Sequence, residues 1–291
     1  MRLLTIFAFI LALIGAASGR PLRSGTSLKY EVFGSDSTSF CVTSTFIYGE
    51  HEGMLVDVGF RLSDAQKVAD RISSSGKQLK EIFITHPHDD HYLCTGFWKQ
   101  RFPNTPIYMS STGLKEFNRS AMKYFTYLKN AYPKEVPDTL VTPEVLPSPH
   151  LTLDGEQVEV FADQQGDEWI RSNSYLWIPS TRTIIAGDMV FDGVHVWLAN
   201  SNRQSRDAWI TALDRMDALQ PSRVVAGHKW DAAAPDSRNV IAATRSYIKR
   251  FDEIMHIAGG SDDLTERMAS AFPNLRLKNI LMRAARVAIP D

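Results

Sequence analysis

The sequence predicts an α/β fold in which two β-sheets face each other and helices cover their outer sides. Two β-rich stretches, each followed by segments of helical periodicity, imply two such halves. Between them, residues 133–149 carry five prolines and read as a linker. Several apolar runs also end in a histidine or an aspartate, and strand ends are where α/β folds place their chemistry.

Taken in order, the β-branched and aromatic runs at 28–34, 40–48 and 53–57 read as strands. A helix is expected to start at Ser63, where Ser63 and Gln66 match a capping box, and to run to about Ser74. The short run 82–85 reads as a buried strand ending in a polar loop. A helix near Thr95–Arg101 and a strand at Ile107–Met109 follow. Residues 112–131 are helical, with Phe117, Tyr124, Phe125 and Leu128 at near-helical spacing, a stripe expected in core or lid packing. The second half restarts with strands at 151–153, 158–162, 175–179 and 183–186. Helix 207–219, strand 223–226 and helix 239–256 come next, and 263–289 reads as two amphipathic helices.

The chemistry concentrates in His86-Pro87-His88-Asp89-Asp90-His91, directly after the strand at 82–85. Neutral imidazole and ionised carboxylate are the usual ligands of zinc and neighbouring divalent ions. A solvated histidine-rich loop does not account for five potential ligands in six residues. One closed structural zinc site also fits poorly, because the cluster lacks cysteine pairs and offers more ligands than one tetrahedral ion needs. His86 and His88, two apart in an extended segment, can point the same way, while Asp90 and His91 can supply a second centre past the bend. Two metals could then sit close enough to share one water.

The stretch from Thr85 to His91 resembles the HxHxDH signature of the metallo-β-lactamase-fold hydrolases. Three further segments are similar to motifs of that family in the family's order, and the resemblance spans roughly residues 28–248. Residues 54–59 resemble an early strand that ends in an aspartate, Asp57, beneath the metal site. Residues 184–188 resemble the strand whose terminal aspartate, Asp188, bridges two metals, and 224–228 the strand delivering the last histidine, His228. In isolation Asp188 reads as a turn cap and His228 as a satisfied turn histidine; four motifs in order override both readings. The resemblance implies an αββα four-layer sandwich with two divalent ions, zinc first among them, at the sheet edge where the halves meet. It implies His86, His88, Asp90, His91, Asp188 and His228 as ligands. Asp90, on the second metal, would orient the attacking water and pass its proton to the leaving group.

One family position departs. The histidine that completes the first metal site of the family stands on a turn before a strand. In register with the strand at 175–179, the matching segment is Gln165-Gly166-Asp167-Glu168, and Asp167 falls in the histidine's place. A carboxylate there adds charge and hardness and shifts the site toward manganese or iron(II) relative to zinc. Gln165 or Glu168 could take over instead, the site could go half-empty, or Asp167 could be a solvated turn residue.

Met1-Arg2, the apolar run from Leu3 to Ile14 and the small residues from Gly15 to Gly19 make a secretory signal peptide, with cleavage between Ala17 and Arg20. The run is shorter than the roughly twenty apolar residues of a membrane span. The mature chain, 20–291, is expected to be a single exported domain, extracellular or, in a bacterium, periplasmic. Its two αβ halves join near 133–150, and helices close the chain within 263–289. Thirty-two basic residues against 33 acidic ones, with no Lys/Arg run, argue against a nucleic-acid surface and leave a small molecule as the expected partner. Cys41 and Cys94 make no disulfide scaffold and either pair or stay buried and free. Cys94 is expected to pack in the helix after the cluster. Asn118-Arg119-Ser120 matches a glycosylation acceptor.

These readings point to a hydrolase that cleaves an ester, lactone or lactam-type bond with a metal-activated water; no Gly-x-Ser-x-Gly elbow suggests a serine nucleophile. Tyr92, Phe97, Trp98 and Trp197 line either an apolar mouth or the core. His195 either approaches the substrate or is structural, and His51, His150 and His256 read as surface or loop residues. Two rivals are an iron-dependent oxidoreductase on the same fold and an exported, non-catalytic protein that has lost one metal site.

Overall fold

A computed structural model describes residues 27–290; the expected signal peptide at 1–19 lies outside them. The first sheet takes its six strands in chain order: β1 (Lys29–Gly34), β2 (Thr43–Tyr48), β3 (Glu52–Val56), β4 (Gln78–Ile84), β5 (Ile107–Met109) and β6 (Glu144–Val145). The first three are antiparallel, and β3 to β6 run parallel. Parallel neighbours need crossovers. Helix α1 (Leu62–Ser74) supplies the first, α2 (Asp89–Tyr92) with α3 (Thr95–Arg101) the second, and α4 (Ser111–Ala131) the third.

The second sheet begins with β7 (His150–Leu153), β8 (Glu156–Gln164), β9 (Asn173–Ile178) and β10 (Thr183–Ile185), all antiparallel neighbours. After β11 (Phe191–Asp192), helix α5 (Arg203–Ala218) leads to β12 (Arg223–Val225), which joins β10 in parallel. Strand β13 (His228–Lys229) pairs with β11 in a small ribbon. Helices α6 (Asn239–Met255), α7 (Ser261–Ala271) and α8 (Lys278–Ala288) complete the described chain.

Alternation along the strands sets the layers. On β4, Phe83 joins Met54 and Val56 of β3 and Leu176, Ile178, Ile185 and Val225 of the second sheet in the central core. Its neighbours Ile82 and Ile84 turn the other way, with Leu55, onto α1 and the buried residues of α3 and α4. The second sheet repeats the rule: Ile184 and Val224 pack outward with Trp209, Leu213 and Ile248 of the helices. Strands buried on both faces carry nearly unbroken apolar runs, which is what 82–84, 184–186 and 224–226 show. The result is four layers, helix–sheet–sheet–helix, as expected.

Several boundaries differ from the sequence reading, each for a local reason. Phe40 and Cys41 adopt left-handed conformations, so β2 begins only at Thr43. No side chain caps α1 from within: Ser63 instead donates its hydroxyl to Glu135 in the linker, 2.8 Å away. The capping box appears on α5, where Asn202 and Ser205 bond reciprocally and move the helix start back to Arg203. In the α4 stripe, Phe117, Phe125 and Leu128 are buried but Tyr124 is half exposed. Tyr92 and Trp98 belong to the core rather than a mouth; Trp98 donates to the Val58 carbonyl. Phe97 and Trp197 are partly buried against the outer cores. Cys41 and Cys94 are both free and buried. Asn118 is exposed on the helix α4.

Candidate metal centre

The site lies beyond the C-terminal ends of β3, β4, β10 and β12, which present Asp57, the 85–91 loop, Asp188 and His228 in turn. Close approach of these loops depends on two glycines. Gly187 is left-handed, at φ 50°, and a Cβ there would meet Thr85 Oγ1 at 2.7 Å. A Cβ on Gly227 would strike the Asp188 carboxylate and the Gly187 backbone, where Gly227 N donates to Gly187 O at 2.9 Å. Within the loop, His88 is extended and precedes the single turn of α2, which brings Asp90 and His91 round to the same cavity.

All seven residues singled out from the sequence converge there. His86, His88, Asp167 and Asp188 form one group in which each offers a ligand atom within 4.8 Å of the others; Asp90, His91 and His228 form a second. Asp188 stands between the groups. Its Oδ2 lies 3.6 Å from His86 Nε2 and 3.2 Å from His228 Nε2, and its Oδ1 lies 3.2 Å from His91 Nε2. Asp167 Oδ2 is 3.2 Å from His88 Nδ1, so Asp167 is no solvated turn residue: it is fully buried. Asp90 Oδ2 approaches His228 Nε2 at 3.4 Å.

Whether a cation fits can be read from the polar atoms. His86 Nε2, His91 Nε2, Asp167 Oδ2 and Asp188 Oδ1 are buried without a hydrogen-bond partner. Buried polar atoms rarely go unpaired, and four converging Lewis bases are what a divalent ion satisfies. The outer ring nitrogens, by contrast, are all engaged. His86 Nδ1 lies 3.0 Å from Thr85 Oγ1, His91 Nδ1 2.8 Å from Asp57 Oδ2, His228 Nδ1 2.8 Å from the Phe40 carbonyl, and His88 Nε2 2.5 Å from Glu168 Oε1. An imidazole that gives its outer N–H to an oxygen turns the other nitrogen's lone pair inward, the arrangement typical of metal-bound histidine. The donor set fits divalent metal.

Charge at the site is tightly balanced between carboxylates and imidazoles. Burial, then His91, hold His86 well below the usual histidine range. Burial opposes charge on His91 too, but Asp188, Asp57 and Asp90 outweigh it and push it well up. His228 rises likewise, burial being overcome by Asp188 and Asp90. For Asp188 the order reverses: burial raises it, but His228, His91 and His86 hold it well below the carboxylate range. Burial pushes Asp167 up to about 6 despite His88 beside it.

Asp57, expected beneath the site, sits under it and also accepts from the Thr85 amide at 2.8 Å. Glu168, weighed as a substitute ligand, instead meets the far nitrogen of His88. Asn200 and the Phe40 carbonyl carried no signal in the sequence; Asn200 donates to Glu168 Oε1 at 3.1 Å. His195 is not at the site. It is buried against Tyr247, its Nδ1 2.9 Å from the hydroxyl, and its pKa is lowered to about 4 by burial and Lys278.

A search of curated protein sequences found no match. Among solved structures, the chain resembles a metallo-beta-lactamase family protein from Thermus thermophilus, with TM-score 0.63, 16% identity, and 89% of this chain and 91% of that one covered. A metallo-beta-lactamase from Pontibacter korlensis gives TM-score 0.55 at 18% identity, covering 77% and 95%. The metallo-beta-lactamase FIM-1 from Pseudomonas aeruginosa, solved in a mono-zinc form, gives 0.54 at 13%, covering 77% and 90%. At such identities the likeness establishes a shared fold. The sequence model of the metallo-beta-lactamase superfamily matches residues 40–228, from the residue whose carbonyl holds His228 to His228 itself. With its four layers and its ligand-bearing loops at the strand ends, the chain belongs to the metallo-beta-lactamase superfamily.

Proposed function

We propose that the protein is an exported metal-dependent hydrolase that opens an ester, lactone or lactam-type bond with water. The observation that carries this reading is the pair of adjacent ligand groups, with Asp188 of the first 3.2 Å from His91 and His228 of the second and with inward-facing atoms that lack hydrogen-bond partners. When bound, two divalent ions, zinc by family and manganese or iron by donor hardness, acidify a water and polarise the substrate oxygen. Export rests on the pattern of residues 1–19.

Asp90 is our candidate for the proton-handling group. Its carboxylate faces His228 and stays slightly accessible, so it can orient the attacking water, take its proton on a carboxylate oxygen and hand it to the leaving group. His86, His91 and His228 are held by their outer nitrogens and stay fixed while the water moves. The ion pairs of Asp57, Asp90, Asp167, Glu168 and Asp188 run to histidines. Several solved structures of similar fold are named metallo-beta-lactamases, which keeps lactams in the set.

The test is turnover of aryl ester, lactone and β-lactam substrates by the metal-loaded protein. We expect at least one to be hydrolysed, activity to vanish on chelation, and Asp90→Asn to lower it by about 10²–10⁴-fold with the fold retained. A fully loaded protein inert toward all three classes contradicts the reading. The Asp167 carboxylate in the first group favours a second reading, iron-dependent oxidation; iron in both groups with oxygen uptake would establish it.

A further inference from the structure

We propose that Glu168 is a positioning residue that fixes the ring orientation and the proton of His88, presenting His88 Nδ1 to the first ligand group. The proposal rests on the reading that this group takes a metal ion. Glu168 Oε1 lies 2.5 Å from His88 Nε2, on the side of the ring away from Asp167, whose Oδ2 is 3.2 Å from Nδ1. Glu168 therefore faces the back of a ligand and stands outside both groups. A carboxylate accepting the Nε2 proton leaves the Nδ1 lone pair free and makes it a stronger donor.

Glu168 is itself held in place through its carboxylate and through its main chain. Asn200 donates to Glu168 Oε1 at 3.1 Å and comes within 3.5 Å of His88 Nε2. The segment carrying Asn200 is tied down by buried Arg206, which donates to the Ser201 hydroxyl at 3.1 Å and pairs with buried Asp252 at 2.6 Å. At the main chain, the amide of Gln165 donates to the Glu168 carbonyl at 2.5 Å and secures the turn that carries Asp167 and Glu168 together. The same turn thus supplies a ligand to the first group and the partner of a neighbouring ligand. Glu168→Ala frees the His88 ring to turn or to move its proton to Nδ1, which removes the donor.

Cobalt(II) titration of the full chain, read by visible absorption and by the imidazole ¹⁵N signals of His88, tests this. Glu168→Ala should weaken binding at the His88 group by about 10- to 100-fold while the His91–His228 group keeps its affinity. Glu168→Gln, whose amide oxygen still accepts the Nε2 proton, should recover most of the loss. Unchanged affinity and unchanged ¹⁵N signals in Glu168→Ala overturn the proposal, and so does an equal loss at both groups, which a general folding defect would give. If the wild type takes up no cobalt at the His88 group, the hydrolase reading fails, and the His88 ring orientation in crystals of the metal-free proteins decides for Glu168 alone. One orientation in the wild type that is lost or turned in Glu168→Ala supports it; the same orientation in both overturns it.

Discussion

The two ligand groups meet at Asp188, a member of the first that lies 3.2 Å from His91 and His228 of the second, but they are supported in different ways. In the second group, His91 and His228 rest on Asp57 and on the Phe40 carbonyl, both in short segments beside strands of the first sheet. In the first, His86 rests on its neighbour Thr85, while His88 and Asp167 depend on the turn at 165–168 and on Asn200, 112 positions from His88. The second group is built into strand ends that the core already fixes. The first is completed from outside by a loop, and loops accept substitution more readily than the elements they connect. That is where the sequence resemblance sets Asp167 in a histidine's place.

If Asp188 bridges, it is the one residue whose loss removes the distinction. Asp188→Ala should empty both groups, by far more than the about 10- to 100-fold cost of an outer partner. Metal content per chain checks this: one group retaining its ion would mean that Asp188 belongs to the other alone. Asp167 sharpens the contrast at smaller cost. Asp167→His should raise zinc affinity in the first group, and Asp167→Ala should lower total metal content, each leaving the second group unchanged. Titration of both variants decides it, and unchanged occupancy in both would make Asp167 a bystander. The smallest effect concerns a histidine that serves neither group. His195 has its folded pKa lowered to about 4, so between about 6.5 and 4 the unfolded chain binds the extra proton and stability falls as the pH falls. His195→Gln lacks that titration. The stability gap between wild type and variant should narrow from pH 7 to pH 4.5 in denaturant unfolding, and a constant gap would contradict the assignment.

Much of this was legible in the sequence because it is local. The histidine cluster, the apolar runs ending in Asp188 and His228, and the register that singles out Asp167 are all contiguous patterns. Where support comes from far along the chain, the residue types gave no sign. The Phe40 carbonyl is a backbone group with no residue signature, and its partner lies 188 positions away. Asn200 looks like any polar residue before a helix. The start of α1 shows the same competition: Ser63 and Gln66 match a local cap, yet Glu135, 72 positions on, takes the Ser63 hydroxyl. Tyr92 and Trp98 were ambiguous for a different reason. Proximity in sequence to ligands does not say which side of a short helix faces the core, and here both fill it.

The central claim is that two cations sit side by side across one carboxylate. A crystal structure of the metal-loaded protein, with anomalous diffraction at the metal edge, tests it most directly. Two peaks per chain are predicted, one within about 2 Å of ligand atoms of His86, His88 and Asp167 and the other of Asp90, His91 and His228, with Asp188 bonded to both. A single peak, or two peaks of which only one touches Asp188, would contradict the account.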